Sequence, residues 1–217
     1  MVDTSRESSK YGGDHFKNEI ECYAPDARPY GISYGAWTIK WWKWWFSIER
    51  ARNPAIDQTG IYASQKQSRP VWFLAGTWVK KDRTYPHRKC SIPTGVSIFF
   101  PVINCEENPL EYPNLTSDKA MRDRLSEDMA TVRYLKCVIN GQIIQPQLVE
   151  SDPLFFSIRI RKDMSESNRG GITRMTSTGY WVFFRPLDKG SYHLSFEGSY
   201  QHGSLFTGAT YEITIDE

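Results

Sequence analysis

The chain has 217 residues, and its 40% hydrophobic and 24% charged residues are ordinary proportions for a globular protein. A chain of this length can bury enough surface to fold without a metal or a disulfide framework. Its 27 basic and 25 acidic residues leave a formal net charge of +2, so we expect no nucleic-acid partner. The 8 Trp, 12 Tyr and 11 Phe favour β structure before any pattern is considered.

The two ends of the chain differ in composition. Residues 1–20 are rich in Ser, Lys, Asp and Gly, which predicts a flexible N-terminal arm followed by a single domain over residues 21–217. No apolar run approaches the roughly 18 residues of a membrane span, and no hydrophobic segment near the start could act as a secretion signal. The chain as written is therefore predicted to be cytoplasmic, or exported if it is a trimmed form.

The first regular element is a tryptophan-rich helix predicted over residues 34–51, with Ser33 as its N-cap and Asn53-Pro54 as its stop. Its apolar side chains cover an arc of roughly 220°, about twice the stripe of an ordinary surface helix. One sheet face could not cover that arc. The helix should therefore lie in a cleft with two walls, meet a partner such as a second copy of the chain, or rest on a membrane surface.

The remainder of the chain indicates short strands. They are predicted over residues 71–75, 96–100, 133–139, 142–149, 155–161, 180–185, 192–199 and 210–216. Asn140-Gly141 predicts a hairpin turn, and Ser117 can cap a second short helix that extends to about residue 131. The polar residues 163–177 predict a mobile loop. The fold class is mainly β: an antiparallel β-sandwich or jelly roll with an aromatic N-terminal helix.

Two other sets of side chains are assigned surface or core roles. Lys80, Lys81, Arg83, Arg88 and Lys89 indicate a solvated turn, with a phosphate-binding patch as the alternative. The four cysteines lack the spacing of zinc sites, so they are expected to be buried free thiols, and a bridge between Cys90 and Cys105 is the alternative.

Several sequence blocks carry a resemblance to a family. They are YGISYGAW at 30–37, WWKW at 41–44, VWFLAGT at 71–77, CSIPTG at 90–95 and IFFP at 98–101. As a set they resemble a family of largely uncharacterised bacterial and archaeal proteins. Many members begin with a secretory signal, and several carry a cysteine in the segment matching residues 60–67, where this chain has Ala63. The resemblance implies a single domain and adds no catalytic residue.

Candidate acid–base residues are few, because no common catalytic motif is present. Glu49 falls within the aromatic arc of the predicted helix, where burial would raise its pKa and suit it to acid–base catalysis. A structural ion pair, or fraying of the last turn, is the alternative. His193 and Glu197 share one strand face and Glu212 may lie opposite, which would suit proton transfer or a metal, although a solvated face uses the same residues.

The tryptophans suggest a binding site. Trp37, Trp41 and Trp45 recur at four-residue spacing and would form a flat surface for stacking on a sugar, an aromatic group or a hydrocarbon, and Trp72 of the first strand is grouped with them. Core packing is the alternative. The sequence thus predicts a binding protein for a small apolar, aromatic or glycan-like ligand. Two other hypotheses stay open. The protein could be a cofactor-independent enzyme that uses Glu49 or His193, or it could be an interaction or membrane-surface protein. No metal or cofactor is expected.

Overall fold

The computed structural model describes residues 19–217, so nearly all of the predicted arm lies outside the described residues. Two α-helices occur in this range, α1 (Tyr34–Ser47) and α2 (Asp118–Ala130). The strands are β1 (Val71–Phe73), β2 (His87–Pro93), β3 (Ser97–Glu107), β4 (Tyr134–Ile139), β5 (Gln142–Ile143), β6 (Gln147–Glu150), β7 (Phe156–Ile160), β8 (Gly171–Phe184), β9 (Gly190–Tyr200) and β10 (Leu205–Asp216). Neither α1 nor α2 combines the length and the apolar character needed to cross a membrane.

The strands form two five-stranded sheets. The central sheet has the order β1-β3-β8-β6, with β7 also pairing with β8, and the outer sheet has the order β2-β10-β9-β4-β5. The mainly β sandwich with an aromatic N-terminal helix is therefore confirmed. Two edge pairings, β1 with β3 and β2 with β10, are parallel. Along the chain, β2 lies between β1 and β3 but belongs to the outer sheet. The parallel strands β1 and β3 are therefore joined by a connection that passes through the outer sheet, not by a hairpin turn.

The molecule has three layers because the side chains of the central sheet alternate between its two faces. Phe99 and Phe183 point to α1, whereas Phe100 and Phe184 point to the outer sheet. Consecutive aromatic residues thus serve two cores. One core lies between the two sheets, and the other lies between the central sheet and the tryptophan helix.

Helix α1 lies in a groove with two walls, as its wide apolar arc predicted. Strands β3 and β8 of the central sheet form one wall, where Trp181 stacks on Phe99 with ring centroids 4.9 Å apart. Apolar residues of β7, together with Met164, form the second. The five tryptophans of α1 are each at most 9% exposed. The chain itself therefore covers the face that could have met a membrane or a second copy.

The helix begins as predicted and ends earlier. Ser33 Oγ accepts a hydrogen bond from Ala36 N at 3.2 Å, which confirms the N-cap. The end lies at Ser47 instead of residue 51, and the following backbone is extended. Side chains satisfy the last carbonyl groups: Asn53 Nδ2 donates to Trp45 O at 3.0 Å, and Lys66 Nζ donates to Ser47 O at 2.7 Å. These bonds remove the need for another turn.

The predicted positions of the strands need correction in three places. Residues 142–149 form two strands in different sheets, because Pro146 cannot donate to a ladder and the chain changes sheets there. The predicted loop over 163–177 is wrong from Gly171 onward, where β8 pairs with β7. Strand β2 was missed. Arg88 occupies one of its inward positions and hides the alternation that would have indicated a strand.

The four cysteines are free thiols, so the alternative bridge between Cys90 and Cys105 is not formed. Cys137 is buried and Cys22 is exposed, so burial holds for some of them only. Burial raises the pKa of Cys90 and of Cys105 to about 12, which makes both poor nucleophiles near neutral pH.

Candidate functional site

A pocket of about 320 Å³ opens at one end of the central sheet. The C-terminal half of α1 lines one side, and the end of β3 with part of α2 lines the other. The turn between β9 and β10, residues 76–79 and the segment after β7 complete it. Its volume is at the lower end of the range of small-molecule sites.

Aromatic side chains form one wall of the pocket, and they are Trp41, Trp42, Trp45, Phe46 and Trp78. Trp42 stacks on Phe46 with ring centroids 5.6 Å apart, and Trp45 contacts Trp78 at 4.8 Å. Trp41 is held in place because its Nε1 donates to Leu74 O at 2.8 Å. This aromatic wall is therefore rigid, and it belongs mainly to a single helix.

Acidic side chains line the pocket on the side of β3 and α2, and this carboxyl cluster comprises Glu106, Glu107, Glu111, Asp128 and Glu166. Its members come from four places in the chain: the last two residues of β3, the loop after it, α2, and the segment before β8. Trp78 Nε1 donates to Glu166 Oε1 at 3.2 Å and so joins the aromatic wall to the carboxyl cluster.

Glu107 is the most enclosed residue of the carboxyl cluster, at 1% exposure. Arg124 Nε donates to its Oε1 at 3.0 Å, and the Arg124 guanidinium lies 4.1 Å from the centre of the Tyr112 ring. Among the described residues no donor reaches Glu107 Oε2. Burial raises the pKa of Glu107 to about 7, although the charge of Arg124 opposes that rise.

The neighbouring carboxyl groups are perturbed in the same direction. Burial, followed by the charge of Glu111, raises the pKa of Glu106 well above its usual range, although Asn108 Nδ2 donates to Glu106 Oε2 at 2.9 Å. Burial also raises the pKa of Glu111 and of Asp128. Groups so perturbed, gathered in a cleft, are typical of functional sites.

Four of the eleven buried polar atoms that have no hydrogen-bond partner among the described residues belong to residues that line the pocket. Within residues 19–217, no hydrogen-bond partner is found for Trp42 Nε1, Thr77 Oγ1 or Asn104 Nδ2, and all three residues line the pocket. Thr77 is 7% exposed and Trp42 is 6% exposed. Buried polar groups are rarely left unpaired in native proteins, so these atoms are available to a polar partner in the pocket.

A buried arginine holds the floor of the pocket together. Arg88 is 0% exposed, so the prediction that it belongs to a solvated turn is wrong. Its Nη1 donates to Ala75 O at 2.5 Å and its Nε donates to Asp57 O at 2.7 Å. Tyr211 Oη accepts from Nη1 at 2.7 Å. Arg88 thereby joins two loop segments to β2 and β10 of the outer sheet.

The four tryptophans predicted to bind a ligand separate into two groups. Trp41 and Trp45 line the pocket. Trp37 lies further toward the start of α1, where its Nε1 donates to Pro29 O at 3.0 Å and it contacts Phe183. Trp72 lies on the opposite face of the central sheet, in the core between the sheets, because neighbouring residues of a strand alternate. Neither Trp37 nor Trp72 lines the pocket.

Glu49 does not lie in the aromatic arc. Because α1 ends at Ser47, Glu49 lies beyond the helix, and its half-exposed side chain pairs with Arg52 at 3.1 Å. The expected burial of Glu49 is therefore wrong, and the ion-pair alternative describes what the structure shows. Without burial, the physical reason for assigning it an acid–base role is gone.

His193 lies on the solvent side of the outer sheet, away from the pocket. Glu212 does pair with it across β9 and β10, but the Glu212 carboxylate contacts His87 at 2.8 Å and Lys89 at 2.7 Å. Glu197 pairs with Arg83 at 2.9 Å. Glu197 and Glu212 therefore belong to separate ion pairs, and the ring centroid of His193 lies 6.4 Å from that of His87. In the described part of the chain no group of three acidic, His or Cys side chains could hold a metal ion.

The carboxyl cluster was missed by sequence reasoning. The available signal was the position of the adjacent Glu106 and Glu107 at the end of an apolar run that begins at Ile98, because side chains of a strand alternate and one of two neighbours then faces the core. The other members lie up to 60 residues from Glu106 (166 − 106), so no local pattern joins them.

Comparison of the chain with protein-family models, with curated proteins and with solved structures finds no match. The family resemblance inferred from the sequence blocks stays a prediction. Function is therefore argued from the pocket alone.

Proposed function

We propose that this protein binds a small ring-containing organic ligand in the pocket between α1 and the carboxyl cluster. The observation that carries the proposal is a pocket of about 320 Å³ with a rigid aromatic wall on one side and buried carboxyl groups on the other. A flat ring can stack on the tryptophans while its polar substituents reach the carboxyl groups.

Two features support a binding role over a purely structural one. The aromatic wall and the carboxyl cluster face the same space. Burying acidic groups beside a tryptophan core lowers the stability of the fold, and a binding role explains why they are there. In addition, unpaired polar atoms of the described residues lie at this pocket, where a ligand would offer partners. An interaction surface made of the helix tryptophans has less support, since the chain itself covers them.

An enzyme that uses Glu49 or His193 also has less support, because neither residue lines the pocket.

The residues that line the pocket narrow the chemical class of the ligand. A purely apolar ligand would leave Glu107 Oε2 and the Thr77 hydroxyl without partners among the described residues, so a ring with polar substituents is the better match.

The proposal is tested by isothermal titration calorimetry with three neutral ring compounds: tryptophol, methyl β-D-glucopyranoside and cyclohexanol. Val79 lines the pocket and is 41% exposed, so its replacement should not disturb the core. We expect at least one compound to bind, Val79→Trp to weaken its binding at least about tenfold by filling the pocket, and Val79→Ala to leave the affinity nearly unchanged. Binding that Val79→Trp does not affect would place the ligand elsewhere.

A further inference from the structure

The pocket has a strong excess of acidic groups although the protein as a whole does not. Five of its lining residues are acidic, whereas a single lining residue, Arg124, is basic. The formal net charge of the whole chain is +2, so the excess belongs to this pocket and not to a generally acidic surface. Arg124 contacts a single member of the cluster, Glu107, at 3.0 Å.

Arg124 supplies one positive charge to a carboxyl cluster of five acidic residues. Glu107 is 1% exposed, and no donor in the described range reaches its Oε2. The charge of Glu111 raises the pKa of Glu106, whose side-chain hydrogen bond comes from the neutral Asn108, and Glu111 in turn receives hydrogen bonds from the neutral Ser165 hydroxyl and the Glu166 backbone amide. An ionised carboxylate in such a place is costly unless a cation pairs with it.

The aromatic wall is also suited to a positive charge. Tryptophan has the most favourable ring for cation–π attraction, and three tryptophans of α1 line the pocket with Trp78. Within the wall, the Arg50 guanidinium already lies 4.4 Å from the centre of the Trp78 ring, although Arg50 does not line the pocket. No basic side chain of the described residues lies over Trp41, Trp42 or Trp45, and Lys40 lies over Trp37 outside the pocket.

We propose that the ligand is an organic cation, a ring-containing amine or ammonium compound, whose positive group lies among the carboxyl groups of Glu106, Glu107 and Asp128. Its ring packs on the wall formed by Trp42 and Trp45. This inference rests on the proposed function, because it names the ligand class of the same pocket. It is carried by the juxtaposition of a carboxyl cluster that faces a single basic residue, a buried carboxylate oxygen without a donor and a tryptophan wall around one cavity.

The test pairs each neutral probe with an amine built on the same ring: tryptamine with tryptophol, methyl 2-amino-2-deoxy-β-D-glucopyranoside with methyl β-D-glucopyranoside, and cyclohexylamine with cyclohexanol. Affinities are measured by calorimetry at equal ionic strength. We expect the amine of at least one pair to bind at least about tenfold more tightly than its neutral partner. Val79→Trp should weaken that binding.

Two isosteric variants decide whether the carboxyl cluster causes the preference. Glu106→Gln should reduce the amine preference by about tenfold. Asp128→Asn, on the partly exposed α2, serves the same purpose if the Gln variant does not fold. Asp123→Asn is the matched control, because the exposed Asp123 also lies on α2 and does not line the pocket. It should leave the preference unchanged.

The outcomes separate the two proposals. If neutral compounds bind in the pocket as tightly as their amines, or if Glu106→Gln and Asp128→Asn both leave the amine preference intact, the charge inference is overturned and the binding proposal stands. If no member of any pair binds, both proposals are overturned.

Discussion

Replacing Glu107 by Gln should change how the stability of the protein depends on pH. The carboxyl group of Glu107 is buried at the end of β3, where it contacts Arg124, and it faces the titratable groups of Asp128, Glu111 and Tyr112. Burial raises its pKa from 4.5 to about 7 in the folded protein. The folded state therefore holds the Glu107 proton more tightly than the unfolded state does.

The sign and the size of the effect follow from this difference. The stabilisation that protonated Glu107 contributes is fully present below the unfolded pKa of 4.5, and it is lost as the pH rises through about 7. At about 1.4 kcal/mol for each pH unit between those values, the loss amounts to about 3 kcal/mol. The contribution of Arg124 is already included, because its charge and its hydrogen bond oppose the effect of burial on the folded pKa of about 7.

Urea unfolding followed by tryptophan fluorescence, at about pH 4 and about pH 8, measures this loss. Between the two pH values, the free energy of unfolding of Glu107→Gln should gain about 3 kcal/mol relative to the wild type. The exposed Glu127→Gln should follow the wild type. The reasoning would be refuted if Glu107→Gln showed the same pH dependence as the wild type, since Glu107 would then titrate alike in both states.

Two further substitutions test the packing that shapes the pocket. Arg88→Met should lower the free energy of unfolding by about 3 kcal/mol or more, because several buried carbonyl groups lose their donor. Replacing the exposed Lys89 of the same strand by Met should cost less than about 1 kcal/mol. Equal losses of the two variants in urea titrations would contradict the role of Arg88. Gly35→Ala should destabilise the protein by about 1–3 kcal/mol, because a Cβ at this position would lie 2.5 Å from Glu150 O. Ala favours helices more than Gly does, so without this contact the variant would be more stable. A rise in the melting temperature would therefore disprove the contact.

The sequence by itself determined the features that depend on near neighbours. Ser33 and Ser117 cap the two helices because a hydroxyl oxygen reaches the amide group three residues later. Asn140-Gly141 makes the hairpin turn because both residues accept positive φ angles, 48° and 84°. The width of the tryptophan arc required two walls, and the structure provides them.

Tertiary structure alone decided where the site lies. Glu107, Asp128 and Glu166 meet at one pocket only because β3, α2 and the segment before β8 pack around it, and no periodic pattern spans such separations. The end of α1 at Ser47, which leaves Glu49 in solvent, depends on Asn53 and other side chains that take up its last carbonyl groups. Local propensity acts over a few residues, whereas burial and charge pairing depend on which distant segments come together.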